Sequence, residues 1–198
     1  MLLCPIKKQR GKWIMTKVGI LVGSLRKESF SKKLAANVAS LFPNEYETEF
    51  VEIGDLALYN QDFDDENNAP PEYTTFRNKM KEMEAVLFVT PEYNRSIPAV
   101  LKNALDVGSR PYGASVWNNK PAAIISQSPG KLSGFGANHH LRQPLVFLNM
   151  PILQQPEAYI GNVADILDED GKIKDEGTVK FLQSFVDAFV DLIKKHQE

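Results

Sequence analysis

Apolar residues recur along this chain in two rhythms, short unbroken runs and stripes spaced by three and four. From Lys17 the first run is Val18-Gly19-Ile20-Leu21-Val22, followed by a stripe of Leu34, Ala35, Val38, Leu41 and Phe42. Glu47 to Ile53 reads as a second strand, with Phe50 and Glu52 alternating against Val51 and Ile53. Pro70-Pro71 opens a helix whose Phe76, Met80 and Met83 share a face. The run Ala85-Val86-Leu87-Phe88-Val89 has no polar face, as a strand buried on both sides requires. A helix is predicted over about Ile97 to Val107, with Ser96 placed to cap it and Pro98 in its first turn. Pro121 to Ser126 gives a fourth strand, and Phe135 to Asn149 a helix disturbed at Pro144. Pro151 to Leu153 starts a short fifth strand. The last helix carries Leu182, Phe185, Val186, Phe189, Val190 and Ile193 as a clear stripe.

Strands alternating with helices imply an α/β fold, a doubly wound parallel sheet with helices on both faces. Right-handed crossovers leave few topologies, of which the flavodoxin-like five-stranded order 2-1-3-4-5 is the one expected here. No internal repeat or interdomain linker interrupts residues 16–198, which are expected to form one domain. Residues 1–15 sit before the first strand as an extension. Met1 to Ile6 are apolar but too short for a signal-peptide core, and Met15 is an alternative start.

Composition narrows the function classes. A net charge of -2 gives no global attraction to nucleic acid or anionic lipid, so neither is expected as a partner. No apolar run approaches the roughly 20 residues of a spanning helix. The single cysteine, Cys4, excludes an intramolecular disulfide and a cysteine-held iron–sulfur cluster, and fits a reducing cytoplasm.

Ligands of such sheets bind beyond the carboxyl ends of the strands where the strand order reverses. The loop after strand one, Gly23 to Lys32, offers a glycine, the hydroxyls of Ser24, Ser29 and Ser31, and Arg26 just where a helix begins. Free N–H groups and the positive end of the helix dipole make this an anion site, and Arg26 adds charge-assisted bonds to a phosphate. Read structurally, the same loop is a helix capped by Ser29 with a solvated basic turn. It lacks the Walker lysine pattern and Gly-x-Gly-x-x-Gly. After strand three, Pro91 and Pro98 stiffen a loop in which Tyr93 offers a flat surface and Asn94 a polar edge for a heterocycle. After strand four, Ser126-Gln127-Ser128-Pro129-Gly130 adds small polar groups.

These motifs resemble those of the NADPH-dependent FMN reductases, flavodoxin-like reductases of quinones, chromate and azo dyes. The resemblance runs from Lys17 to the last helix. It is carried by Gly23-Ser24-Leu25-Arg26-x-x-Ser29, Pro91-Glu92-Tyr93-Asn94-x-Ser96-x-Pro98, Leu101-Lys102-Asn103-Ala104-Leu105-Asp106 and Leu141-Arg142-Gln143. It implies FMN as cofactor, with Ser24, Arg26, Ser29 and Ser31 at its phosphate. Pro91, Glu92, Tyr93 and Asn94 would lie along the isoalloxazine, with Ser126, Gln127 and Ser128 on its other side. The family often has asparagine where this chain has Ser31. The implied activity is a ping-pong, two-electron reduction of quinones or similar small acceptors by NADPH or NADH, with the flavin rather than protein acids and bases carrying the chemistry. The resemblance also implies a homodimer or homotetramer, with Arg142 and Gln143 as interface candidates. The rival is a flavodoxin-type electron carrier, although such carriers are markedly more acidic. A receiver-like signalling module would need acidic residues where Ser24 and Arg26 stand.

Other conspicuous residues have plainer readings. His139 and His140 are adjacent on a helix and point apart, so they do not form a metal pair. Asp168 to Lys172 resembles a calcium loop, but its first and twelfth ligand positions are Ile166 and Gly177. It reads instead as a turn between extended pieces at Val163–Leu167 and Lys172–Lys174. The acidic stretch from Tyr59 to Tyr73 is either a surface loop or a rim over the substrate cleft. Lys194-Lys195 complements the last helix's dipole.

Overall fold

The computed structural model describes residues 8–9, 12–13 and 15–197. Ahead of the main sheet, Lys8–Gln9 pairs antiparallel with Lys12–Trp13. The rest of the expected N-terminal extension, up to residue 14, lies outside the described residues.

Five parallel strands build the sheet: β1 (Thr16–Val22), β2 (Tyr46–Phe50), β3 (Ala85–Pro91), β4 (Ala122–Gln127) and β5 (Ala158–Ile160). Their order is β2-β1-β3-β4-β5, the flavodoxin-like arrangement. Val18 aligns with Ala85 and Val86 with Ala122, so the carboxyl ends of β1, β3 and β4 open at one edge. The connecting helices are α1 (Phe30–Ala39), α2 (Pro71–Glu82), α3 (Ala99–Gly108), α4 (Phe135–Phe147) and α5 (Glu176–Gln197).

Alternation along each strand sorts the core into two halves. Val18, Ile20, Val22, Leu87 and Val89 meet Leu34 and Val38 of α1 and Phe185 and Phe189 of α5. Leu21, Val86, Phe88 and Ile124 face Phe76 and Met80 of α2, Leu101 and Leu105 of α3, and Leu141 and Leu145 of α4. Every residue of β3 and β4 is buried, which is why neither has a polar face in the sequence.

Several boundaries depart from the sequence reading. β2 ends at Phe50 rather than Ile53; the Val51 N–H still bonds the Ile20 carbonyl at 3.0 Å, and beyond it Ile53 is buried from a loop. The segment at Pro151–Leu153 makes only a single bridge, Ile152 to Ala122, and the ladder resumes at Ala158. Between them Pro156 lacks the N–H that continuous pairing needs. Val163–Ile166 is one turn of helix, not an extended piece. The turn that follows it is as expected: Leu167 pairs with Ile173, and Asp168 accepts from the Lys172 N–H at 2.7 Å. Pro144 does not end α4, which runs on to Phe147.

Candidate functional site

The loops after β1, β3 and β4 converge at the carboxyl edge. Between β1 and α1 the chain turns through Gly23–Ser29. Gly23 is there because of its neighbours. A Cβ at that position would lie 2.9 Å from Thr90 Oγ1 and 3.3 Å from Pro91 Cδ, so the β1 and β3 loops could not sit side by side. Ser29 caps α1, its Oγ accepting from the Lys32 N–H at 3.2 Å. The N–H groups of Phe30 and Ser31 have no protein partner among the described residues, and the first turn holds no acidic residue. Arg26 is exposed and forms no ion pair there, whereas Lys33 is taken by Glu28 at 3.0 Å. Ser24 is buried in the loop. The result is a loop with free helix donors and, beside the Lys33–Glu28 pair, one exposed cation, Arg26, that has no ion pair among the described residues.

After β3 the chain makes a two-residue turn. Tyr93 and Ser96 exchange main-chain hydrogen bonds at 2.9 and 3.0 Å around Asn94 and Arg95, whose φ values are 51° and 65°. Both central residues therefore lie in the left-handed region that a type I′ turn demands. Tyr93 stands 44% exposed at this turn. Ser96 is not the cap of α3, which starts at Ala99 with Pro98 before it; its hydroxyl instead hydrogen-bonds His140 Nδ1 at 2.8 Å. The Glu92 side chain bridges the turn and α4, accepting from Arg95 Nη1 at 2.7 Å and from the Ala137 N–H at 3.1 Å.

The β4 loop spends its hydroxyls on its own shape. Ser126 Oγ donates to the Ser133 carbonyl at 3.0 Å, and Ser128 Oγ to the Gly130 carbonyl at 2.7 Å. Gln127 reaches across the sheet end and donates to Ser31 Oγ at 2.8 Å, which joins the β4 loop to the first turn of α1. Its Oε1 is buried without a partner.

Behind this edge, Asn138 goes unmarked in the sequence, while Asn103 and Arg142 stand in motifs that do not state their roles. Asn138 is fully buried on α4; it donates to Ser126 Oγ and the Ala158 carbonyl and accepts from Arg142 Nε at 3.1 Å. Arg142 also reaches the Leu153 carbonyl and Glu157. Asn103, inside the motif of α3, accepts from the Tyr59 N–H at 2.8 Å and donates to the carbonyls of Leu56 and Ala57. For Asn138 the hint is its four-residue spacing from Arg142.

Comparison with known proteins decides what the fold alone leaves open. The profile of the NADPH-dependent FMN reductases matches residues 16–165. The chain belongs to that family. Similar curated proteins include a quinone reductase of Pseudomonas putida, 54% identical over 178 residues, covering 89% of this chain and 94% of that one. A 2-hydroxy-1,4-benzoquinone reductase of a Burkholderia species is 44% identical, over 90% of this chain and 96% of its own. Among solved structures, the flavoenzyme NAD(P)H:(acceptor) oxidoreductase FerB of Paracoccus denitrificans superposes with a TM-score of 0.86 at 42% identity, covering 92% of this chain and 99% of that one. As an NADPH-dependent FMN reductase the chain is an oxidoreductase that uses FMN, with NAD(P)H as donor.

The residues at the edge fit that cofactor. Unpaired N–H groups, a free Arg26 and the absence of acid at the start of α1 suit a phosphate of charge about -1.5 to -2. The unpartnered Gln127 Oε1 calls for a donor, which a ligand rich in hydroxyls can bring.

Proposed function

We propose that the protein reduces quinones and similar small acceptors, free FMN, azo dyes and chromate among them, in a ping-pong cycle at the carboxyl edge. Ser24, Arg26, Ser29 and Ser31 would hold the FMN phosphate. Pro91, Tyr93, Asn94 and the main chain of Glu92 would line one side of the isoalloxazine, and Ser126, Gln127 and Ser128 the other. The chemistry FMN supplies when bound is two-electron transfer from NAD(P)H to the acceptor. The protein's task is then to bind and orient. The α1 donors and Arg26 anchor the charged end, and the rigid type I′ turn presents Tyr93 as a flat wall. The observation that carries this reading is Arg26, an exposed cation without an ion pair among the described residues, just ahead of free helix N–H groups.

Arg26→Ala is expected to weaken FMN binding by roughly 1.5–3 kcal/mol, the scale for hydrogen bonds to a charged group. That is about tenfold to a hundredfold in Kd, read by quenching of FMN fluorescence. An unchanged Kd would remove Arg26 from the site. For the activity, NADPH added anaerobically to the loaded protein should bleach the flavin spectrum, and a quinone should restore it. A bound flavin that does not bleach would mark an electron carrier.

We also propose a homo-oligomer, a dimer or a tetramer, formed through α4. Phe135, His139, Gln143 and Phe147 recur every four residues on its outer face, all exposed, with Val146 beside them. Phe147 is 87% exposed, which a lone chain gains nothing from. Arg142 is committed within its own chain, so Gln143 is the interface residue of that pair. Phe147→Glu should lower the mass by light scattering toward the 22.2 kDa of one chain; an unchanged mass would clear α4 of this role. No helix among the described residues is long and apolar enough to cross a membrane. With one cysteine in the chain, the cytoplasm is the compartment we assign.

A further inference from the structure

We propose that Glu92 is a positioning residue, a clasp that ties the Tyr93–Ser96 turn to α4 and so sets where Tyr93 meets the flavin. The inference rests on the FMN site proposed above and assigns this side chain a task other than touching the cofactor.

The carboxylate is only 9% exposed and is divided between two partners. Its Oε2 accepts from the Ala137 N–H at 3.1 Å, which satisfies one of the orphan donors in the first turn of α4. Its Oε1 accepts from Arg95 Nη1 at 2.7 Å. Gly136 makes this approach possible, because a Cβ there would stand 3.0 Å from Glu92 Oε2 and 3.1 Å from the Arg95 carbonyl. The negative charge also sits at the positive end of α4, whose first turn holds no acid of its own.

The turn needs such a clasp. Type I′ turns favour glycine at the second central position, and here an arginine occupies it with φ at 65°. A side chain in the left-handed region is held against a steric penalty, because its Cβ crowds the neighbouring carbonyl. The Arg95–Glu92 pair, with Arg95 largely exposed, offsets part of that penalty and directs the guanidinium back along the turn. A second fastening lies one helical turn further along α4, where His140 meets Ser96. Between these two ties stand Tyr93, Asn94 and Arg95, all exposed; Arg95 is turned to Glu92, which leaves Tyr93 and Asn94 to meet a ring.

The two halves of the clasp are separable. Glu92→Gln keeps an acceptor for the Ala137 N–H and loses the charge opposite Arg95, whereas Glu92→Ala loses both. Arg95→Gly removes the strain that the ion pair offsets. The expected result is a tenfold or larger rise in the FMN Kd for Glu92→Ala, with an altered visible circular dichroism of the bound flavin, and a rise of about threefold for Glu92→Gln. In an Arg95→Gly background, Glu92→Gln should become silent in both readouts. Melting temperatures identify variants that fail to fold, and if Glu92→Ala is one, Glu92→Gln and its cycle with Arg95→Gly carry the test. Wild-type Kd and dichroism in the folded Glu92 variants would overturn the clasp. Arg26→Ala is measured beside them. Loss there with none at Glu92 overturns the clasp and keeps the site, and no loss in either overturns both.

Discussion

Asp64→Ala should destabilise the fold by about 3–5 kcal/mol, the cost of leaving a buried charge unpaired. Arg77 on α2 is 8% exposed and donates to both Asp64 oxygens, at 2.7 and 2.8 Å. Its Nε is spent on the Val107 carbonyl at 2.9 Å, at the end of α3, and its guanidinium lies 5.2 Å from the Tyr73 ring centroid. With Asp64 gone, the two terminal nitrogens face the protein interior with no anion to meet them. The pair closes the loop between β2 and α2, whose single helical turn, Asp62–Asp65, it pins against α2. Urea denaturation at neutral pH reads the change. Replacing both partners, Asp64→Ala with Arg77→Met, should cost less than Asp64→Ala alone, because the uncompensated charge is removed with its partner. A loss below about 1 kcal/mol in the single variant would mean that water reaches Arg77.

The same loop illustrates what the sequence can and cannot say. Its acidic, asparagine- and proline-rich composition reads as a solvated loop or rim, and most of its carboxylates are indeed exposed. Nothing in the composition distinguishes Asp64 from Asp62 or Asp65. The distinction exists only once α2 folds and presents Arg77, thirteen residues later, from a buried position. Tyr73 is similar. Its hydroxyl donates to the Leu58 carbonyl at 2.9 Å, a contact between residues that no local periodicity links.

Where burial is complete, periodicity was enough. The run at Ala85–Val89 and the stripe from Leu182 to Ile193 follow from one rule, that apolar surface must face the core on the period of its element. Right-handed crossovers narrowed the strand order to a few arrangements, and the flavodoxin-like resemblance selected one of them. Edges were harder to read. β2 and β5 lie at the two sides of the sheet, where pairing on one side only sets their limits, and both were misplaced by several residues.

In the site, the residue types were legible but their division of labour was not. A serine near a helix start can bind a ligand, cap the helix or brace a loop. Ser29 caps, Ser126 and Ser128 brace, and Ser31 receives Gln127 from 96 residues away. Sequence spacing predicts the first of these, because a cap is local. The others depend on which strands become neighbours. Glu92 is the sharpest case, since a carboxylate in a motif beside a flavin invites a contact, yet its oxygens belong to α4 and Arg95.

Lys120 should give this protein a stability that rises between pH 8 and 10. It lies just ahead of β4, half-buried, and donates to the Met80 carbonyl at the end of α2. It forms no ion pair among the described residues, so burial alone acts on it and lowers its pKa to about 8 from the usual 10.5. Between those two values the unfolded chain holds a proton there that the folded chain has released. Stability therefore increases as pH rises through the window. The full separation corresponds to about 3 kcal/mol at 1.36 kcal/mol per pH unit, an upper value for the gain. Above pH 10 the sign reverses at Tyr159, whose burial and hydrogen bond to Glu157 push its pKa to about 12, so that the folded state keeps the proton. Urea denaturation at pH 7, 8, 9 and 10 should trace the climb, and Lys120→Met should flatten it. The variant removes the titrating group but also leaves the Met80 carbonyl without this donor, so the slope, not the absolute stability, carries the test. A wild-type profile already flat over this range would mean that Lys120 keeps its ordinary pKa, hydrated in place at the end of α2.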